Sequence, residues 1–171
     1  GGFLPEHENG LLQRLQDEQW DTVVLQGYSN GPVTPARADA FRNSARKYAK
    51  AIRESGAEPV FFMTWAYTGE PEMTARLADA YTAIGAELNA SVVPVGLAFA
   101  EALSKRPQLA LIIDDRKHPT LAGTYLAACA FYSMLQGKSP EGLAYAAGLS
   151  EDDAQFLQRT AWTVTQDYVS R

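Results

Sequence analysis

The stretch Asp21-Thr22-Val23-Val24-Leu25-Gln26-Gly27-Tyr28-Ser29-Asn30-Gly31-Pro32 decides the fold. Its first six residues are largely β-branched and apolar, and the glycines, asparagine and proline that follow stop the run. It reads as a strand entering a turn-rich loop. Upstream, Leu11, Leu12, Leu15 and Trp20 fall near helical spacing in a polar background, which predicts a short amphipathic helix over residues 8–19. Downstream, Pro35 opens a helix running to about Ser55, with Phe41, Ala45, Tyr48, Ala49 and Ile52 on one face, and Gly56 ends it. The alternation then repeats. Further strands are predicted at 59–64, 91–95 and 109–113, and further helices at 72–89, 97–104, 120–136 and 151–169. Strands that are nearly all apolar and alternate with helices predict an α/β fold with a parallel sheet covered on both faces.

Composition agrees. At 171 residues, 46% hydrophobic and 20% charged, the chain has the material for a real core in a single domain, which excludes intrinsic disorder. No apolar run approaches the roughly 18 residues of a membrane-spanning helix. Fifteen Lys and Arg against twenty Asp and Glu give a net charge of -5 with the basic residues scattered, so no nucleic-acid partner is expected. The single cysteine, Cys129, excludes a disulfide scaffold and a Cys-rich zinc site, and no metal is expected. The segment 137–150, with Gly137, Pro140, Gly142 and Gly148, reads as a surface connection rather than a linker.

In parallel α/β sheets, ligands bind beyond the carboxyl ends of the strands. One such place is Asp114-Asp115-Arg116-Lys117-His118-Pro119-Thr120. An Asp three residues before a His can accept the imidazole Nδ1–H and leave Nε2 as a base, the orienting role in a hydrolytic triad. Thr120 is placed to cap the following helix. The competing reading is a turn-capping Asp115 and an exposed loop His118. A second place is Gln26 to Asn30, where Gly27 allows a tight turn and the side chains of Gln26, Ser29 and Asn30 could hold an oxyanion, or merely serve turn geometry. Trp65 and Tyr67, after the second strand, could wall a substrate pocket or pack at the edge of the core. His7 reads as a loop residue near the site rim.

Asp115, His118, Pro119 and Gly123 match the D-x-x-H-P-x-x-x-G block of the SGNH (GDSL-type) hydrolase superfamily, which this sequence resembles from Gly1 to about Trp162. Residues 23–30 look like a divergent form of that family's G-x-N-D block, with Ser29 where the Asn is expected and Asn30 one position later. More narrowly, Trp20-Asp21, Thr64-Trp65-Ala66, Pro94-Val95-Gly96 and His118-Pro119-Thr120 with Gly123 to Ala128 resemble a bacterial branch of the superfamily. The resemblance implies a three-layer α/β/α sandwich with a parallel, flavodoxin-like doubly wound sheet. It also implies an esterase working through a Ser-His-Asp triad without cofactor, on a small-molecule or carbohydrate ester.

The family's G-D-S or G-N-S nucleophile block is absent, and Gly1-Gly2 stand where its loop glycine, a backbone oxyanion donor, would fall. The chain, which opens Gly1-Gly2-Phe3-Leu4-Pro5, therefore reads as starting at the second block, a single domain over residues 1–171 that is N-terminally incomplete and lacks its first strand and serine. Ser29 shows no nucleophile elbow, and the helix serines Ser44 and Ser133 are poorer substitutes. The other class of reading is a non-catalytic carbohydrate-binding or scaffold domain with the same fold. A dinucleotide-binding domain is disfavoured because no G-x-G-x-x-G follows a strand.

Overall fold

A computed structural model describes residues 5–170, with side chains from Gly10 onward. Gly1 and Gly2 lie outside the described residues. Contacts group the chain into two compact units, Gly1–Phe62 with Asp79–Val92, and Met63–Ala78 with Val93–Arg171.

In the first unit, helix α1 (Pro5–Asp17) starts three residues earlier than its apolar spacing suggests. Proline suits a first helical turn, whose N–H groups lack partners anyway. His7 consequently lies on a helix and not on a loop, which corrects the expectation from sequence. Strand β1 (Thr22–Leu25) runs parallel to β2 (Glu58–Phe62), in a register that sets Val24 beside Val60 and Leu25 beside Phe61. Strand β3 (Ser91–Val93) completes the sheet order β1-β2-β3. Helix α2 (Pro35–Glu54) buries Ala45, Tyr48, Ala49 and Ile52, and Gly56, at φ +90, closes it. Leu15 of α1, Tyr48, Ile52 and Ala57 form a core against which Val23 and Leu25 pack.

The expectation that both faces of every strand are covered holds for Val60 and Phe61 but not for β1, where Val24 is 42% exposed. The reason is position: β1 ends the sheet order. Beside it lies a groove of about 400 Å³ lined largely by apolar side chains, among them Leu11, Val24, Leu25, Phe41 and Tyr48.

In the second unit, α4 (Val95–Lys105), α5 (Leu121–Gln136) and α6 (Glu151–Val169) pack together around Phe99, Leu126 and Leu157. Helix α3 (Glu72–Glu87) carries Met73 and Leu77 into this unit, and Tyr81 and Ile84 into the first. The Arg106 guanidinium bonds Asp152 and Asp153 at the start of α6 and lies 4.2 Å from the Phe156 ring. Tyr125 and Gln158 bond each other at 2.8 Å inside the unit. Through the Gly142 amide and the Leu143 and Tyr145 carbonyls, they hold the connection 137–150.

The strand expected at 109–113 does not form. Instead the segment folds back on the loop that follows it: Thr120 N–H donates to Leu111 O, Ile113 N–H to His118 O, and Ile112 bridges antiparallel to Pro119. Leu111 is buried, as its apolar neighbours led one to expect, while Ile113 is 45% exposed. The apolar run is real, but its backbone bonds are spent locally.

Candidate active site

That fold-back builds the site in the second unit. Asp115 Oδ1 accepts the backbone N–H groups of Lys117 and His118, each at 2.9 Å, and Oδ2 bonds His118 Nδ1. These three bonds, the imidazole contact foremost, pull the Asp115 carboxyl down to about 2. An ionised carboxylate only accepts, so Nδ1 carries a proton and donates it, and in the neutral ring Nε2 is the nitrogen with the lone pair. The His118 side chain is 74% exposed, so that lone pair can meet a substrate. Spacing alone left a cap-and-loop reading open, and in the structure Asp115 both caps the turn and bonds the exposed ring.

The loop is fixed from outside as well. Thr120 Oγ1 donates to Ala110 O at 2.6 Å and accepts from Gly123 N–H at 3.2 Å, capping α5 as the sequence suggests. Arg116 sits at φ +70, a left-handed conformation uncommon for a residue with a side chain. It is held there by Thr68, whose N–H donates to Arg116 O and whose carbonyl accepts both Nε and Nη2 of the guanidinium. Arg116 and Thr68 were not singled out from sequence. A left-handed arginine leaves no compositional trace, and only the preceding Asp-Asp hints at a tight turn.

Trp65 and Tyr67 reach the same loop. The Trp65 ring stacks on Phe99 with centroids 4.5 Å apart and planes 7° from parallel, and its indole N–H donates to Lys117 O at 2.9 Å. Lys117 Nζ lies 5.3 Å from the centre of the Tyr67 ring. Asp115, His118, Trp65 and Tyr67 thus share one locality.

The proposed oxyanion residues Gln26, Ser29 and Asn30 belong to the first unit. Gln26 is exposed, Ser29 is half-buried, and Gly27 N–H donates to the buried Tyr81 hydroxyl at 3.1 Å. Asn30 differs from the other two. Its backbone carbonyl accepts Thr34 Oγ1 at 2.7 Å, yet its side-chain Oδ1 is buried without a hydrogen-bond partner among the described residues. An orphaned buried carbonyl oxygen calls for an explanation, and a reserved functional group is a standard one.

Among solved structures, the chain is similar to a "putative SGNH hydrolase" from Slackia heliotrinireducens, with 30% identity and a TM-score of 0.67, covering 77% of this chain and 75% of that one. The chain belongs to the SGNH hydrolases. A DUF4886 family protein from Bacteroides uniformis shares the fold, with a TM-score of 0.72 at 19% identity over 94% of this SGNH hydrolase chain and 68% of its own. No protein-family model and no curated protein matches. The fold class is that of the SGNH hydrolases, α/β/α with a parallel sheet.

The Asp115 ties set a pH expectation. A folded-state carboxyl below its usual 3.8 contributes stability above that value, and the contribution is lost as pH falls through about 2. In a carboxyl-carbon NMR titration, Asp115 should still be ionised at about pH 3, where ordinary Asp side chains are mostly protonated. A midpoint at or above 3.8 would contradict the geometry.

Proposed function

We propose that this SGNH hydrolase is a serine esterase acting on acyl or acetyl esters, carbohydrate esters included. The observation that carries the reading is the Asp115–His118 pair, a carboxylate fixing the ring by Nδ1 and leaving Nε2 toward solvent. In the proposed cycle, Nε2 takes the proton of a serine hydroxyl as its oxygen bonds the ester carbonyl carbon. The tetrahedral oxyanion collapses, the alkoxide leaves with the proton from Nε2, and water repeats the sequence to free the acid. The oxyanion would be held by a backbone N–H and by an amide or hydroxyl from Gln26, Ser29 or Asn30.

The serine is proposed to come from chain outside these residues. Two features support this: β1 ends the sheet order, and an apolar groove runs beside it. A further strand and its helix would cover both. The test is p-nitrophenyl acetate hydrolysis by this chain and by a longer one, with fluorophosphonate labelling to locate the serine. Turnover and labelling only in the longer chain are expected. Full phosphonate-sensitive turnover by this chain alone would refute the external serine and turn attention to Ser29.

A further inference from the structure

Trp65 bears on the dyad through a single peptide group. The carbonyl that accepts the Trp65 indole N–H is that of Lys117, and the N–H of the same Lys117–His118 peptide donates to Asp115 Oδ1. One peptide plane is thus bonded at both ends, by an indole on one side and by the orienting carboxylate on the other. The indole is itself immobilised, stacked on Phe99, which is 1% exposed. The neighbouring residue Arg116 is tied at its carbonyl and at its guanidinium to Thr68, three residues beyond Trp65.

We propose that Trp65 is a positioning residue for His118, acting through the Lys117–His118 peptide, and not a wall of the substrate pocket. Fixing that plane sets the direction of the His118 Cα–Cβ bond, and so presents the ring to Asp115 Oδ2. Hydrogen bonds in series also polarise one another, so the indole strengthens the N–H that Asp115 accepts. Without the indole donor the peptide can rotate, the carboxylate loses one of its three donors, and the ring is released to populate the other tautomer. The inference rests on the esterase reading for its catalytic meaning, but its geometric part does not.

Two variants separate the donor from the packing: Trp65→Phe, and replacement of Trp65 by benzothienylalanine, which keeps the bicyclic shape on Phe99 and lacks only the N–H. The first readout is the His118 side-chain nitrogen shifts, by two-bond proton–nitrogen NMR on the alkaline plateau of its titration, in this chain. The native protein should show the Nδ1–H tautomer. Both variants should move toward a mixture, with the Nδ1–H fraction falling several-fold and the thermal midpoint of the benzothienyl protein unchanged. A tautomer unaltered in the benzothienyl protein overturns the proposal even if Trp65→Phe fails to fold.

The second readout is ester hydrolysis in the longer chain. A misplaced base lowers kcat by roughly ten- to a hundred-fold with little change in KM. A raised KM with kcat intact would make Trp65 a pocket wall and overturn the positioning role. Failure of the longer chain to hydrolyse esters would count against the esterase reading, while the tautomer measurement would still decide the role of Trp65.

Discussion

Replacing His118 by Ala in a chain that carries the nucleophile is expected to lower kcat/KM for p-nitrophenyl acetate by about 10⁴–10⁶-fold, with the circular dichroism spectrum and thermal midpoint unchanged. The large effect follows from chemistry and the small structural one from exposure. Nε2 is the base of the proposed cycle, so its loss leaves the serine hydroxyl with no acceptor for its proton. The side chain is 74% exposed, with Asp115 as its hydrogen-bond partner, so truncation opens no cavity. Asp115→Asn should also lower activity, by about 10⁴-fold, with the turn retained. The amide oxygen can keep both backbone N–H groups, but the NH2 that replaces Oδ2 donates to Nδ1 and turns the ring to the Nε2–H tautomer, which has no lone pair for the serine proton. Ligand binding that survives His118→Ala, with no ester turnover in either protein, would favour the non-catalytic binding domain instead.

The second large effect concerns glycine. A Cβ on Gly96 would sit 2.1 Å from Thr64 O and 3.3 Å from Trp65 Cα, and one on Gly123 would sit 2.2 Å from Leu111 O. These neighbours are backbone atoms, which no rotamer change can move aside. Gly96→Ala and Gly123→Ala should each cost about 3 kcal/mol, at the upper end of ordinary overpacking, and lower the thermal midpoint by roughly 10 °C. Gly10→Ala is the control. A Cβ there meets nothing within 4 Å, so this helical position should be neutral or stabilised by a fraction of a kcal/mol. A midpoint within 2–3 °C of the parent for Gly123→Ala would mean that α5 and Leu111 are not held in such close approach.

The alternation of apolar runs with helical periodicity carried the three strands, because runs such as Val23-Val24-Leu25 and Val60-Phe61-Phe62 are apolar, of strand length, and lie between segments of helical period. The same logic misplaced 109–113. Apolar character says that Leu111 is buried but not which backbone it pairs with, and here the partners are His118 and Thr120, a few residues away. The Asp-x-x-His spacing made the dyad legible, since a contact over three residues is nearly determined by local geometry. What spacing cannot convey is support that arrives from afar in sequence. Trp65 was read from its position after a strand as a possible pocket wall, and the direction of its N–H depends on a loop more than fifty residues later. Arg116 gave no signal, because its left-handed backbone is imposed by Thr68 and not preferred by arginine.

The fold-back of 109–113 has a consequence for how the site assembles. Its closing contacts join Leu111 to Thr120 and Ile113 to His118, so the loop that must be ordered is under ten residues long. Such short closures cost little chain entropy, each doubling of length adding only about 0.6 kcal/mol, and loops of this size close in roughly 10–100 ns. The Asp115–His118 pair, its turn and the cap of the helix behind it are therefore written on one contiguous stretch from Ala110 to Gly123. Such a stretch can close on itself first, with the ties from Trp65 and Thr68 added as the rest of its unit packs.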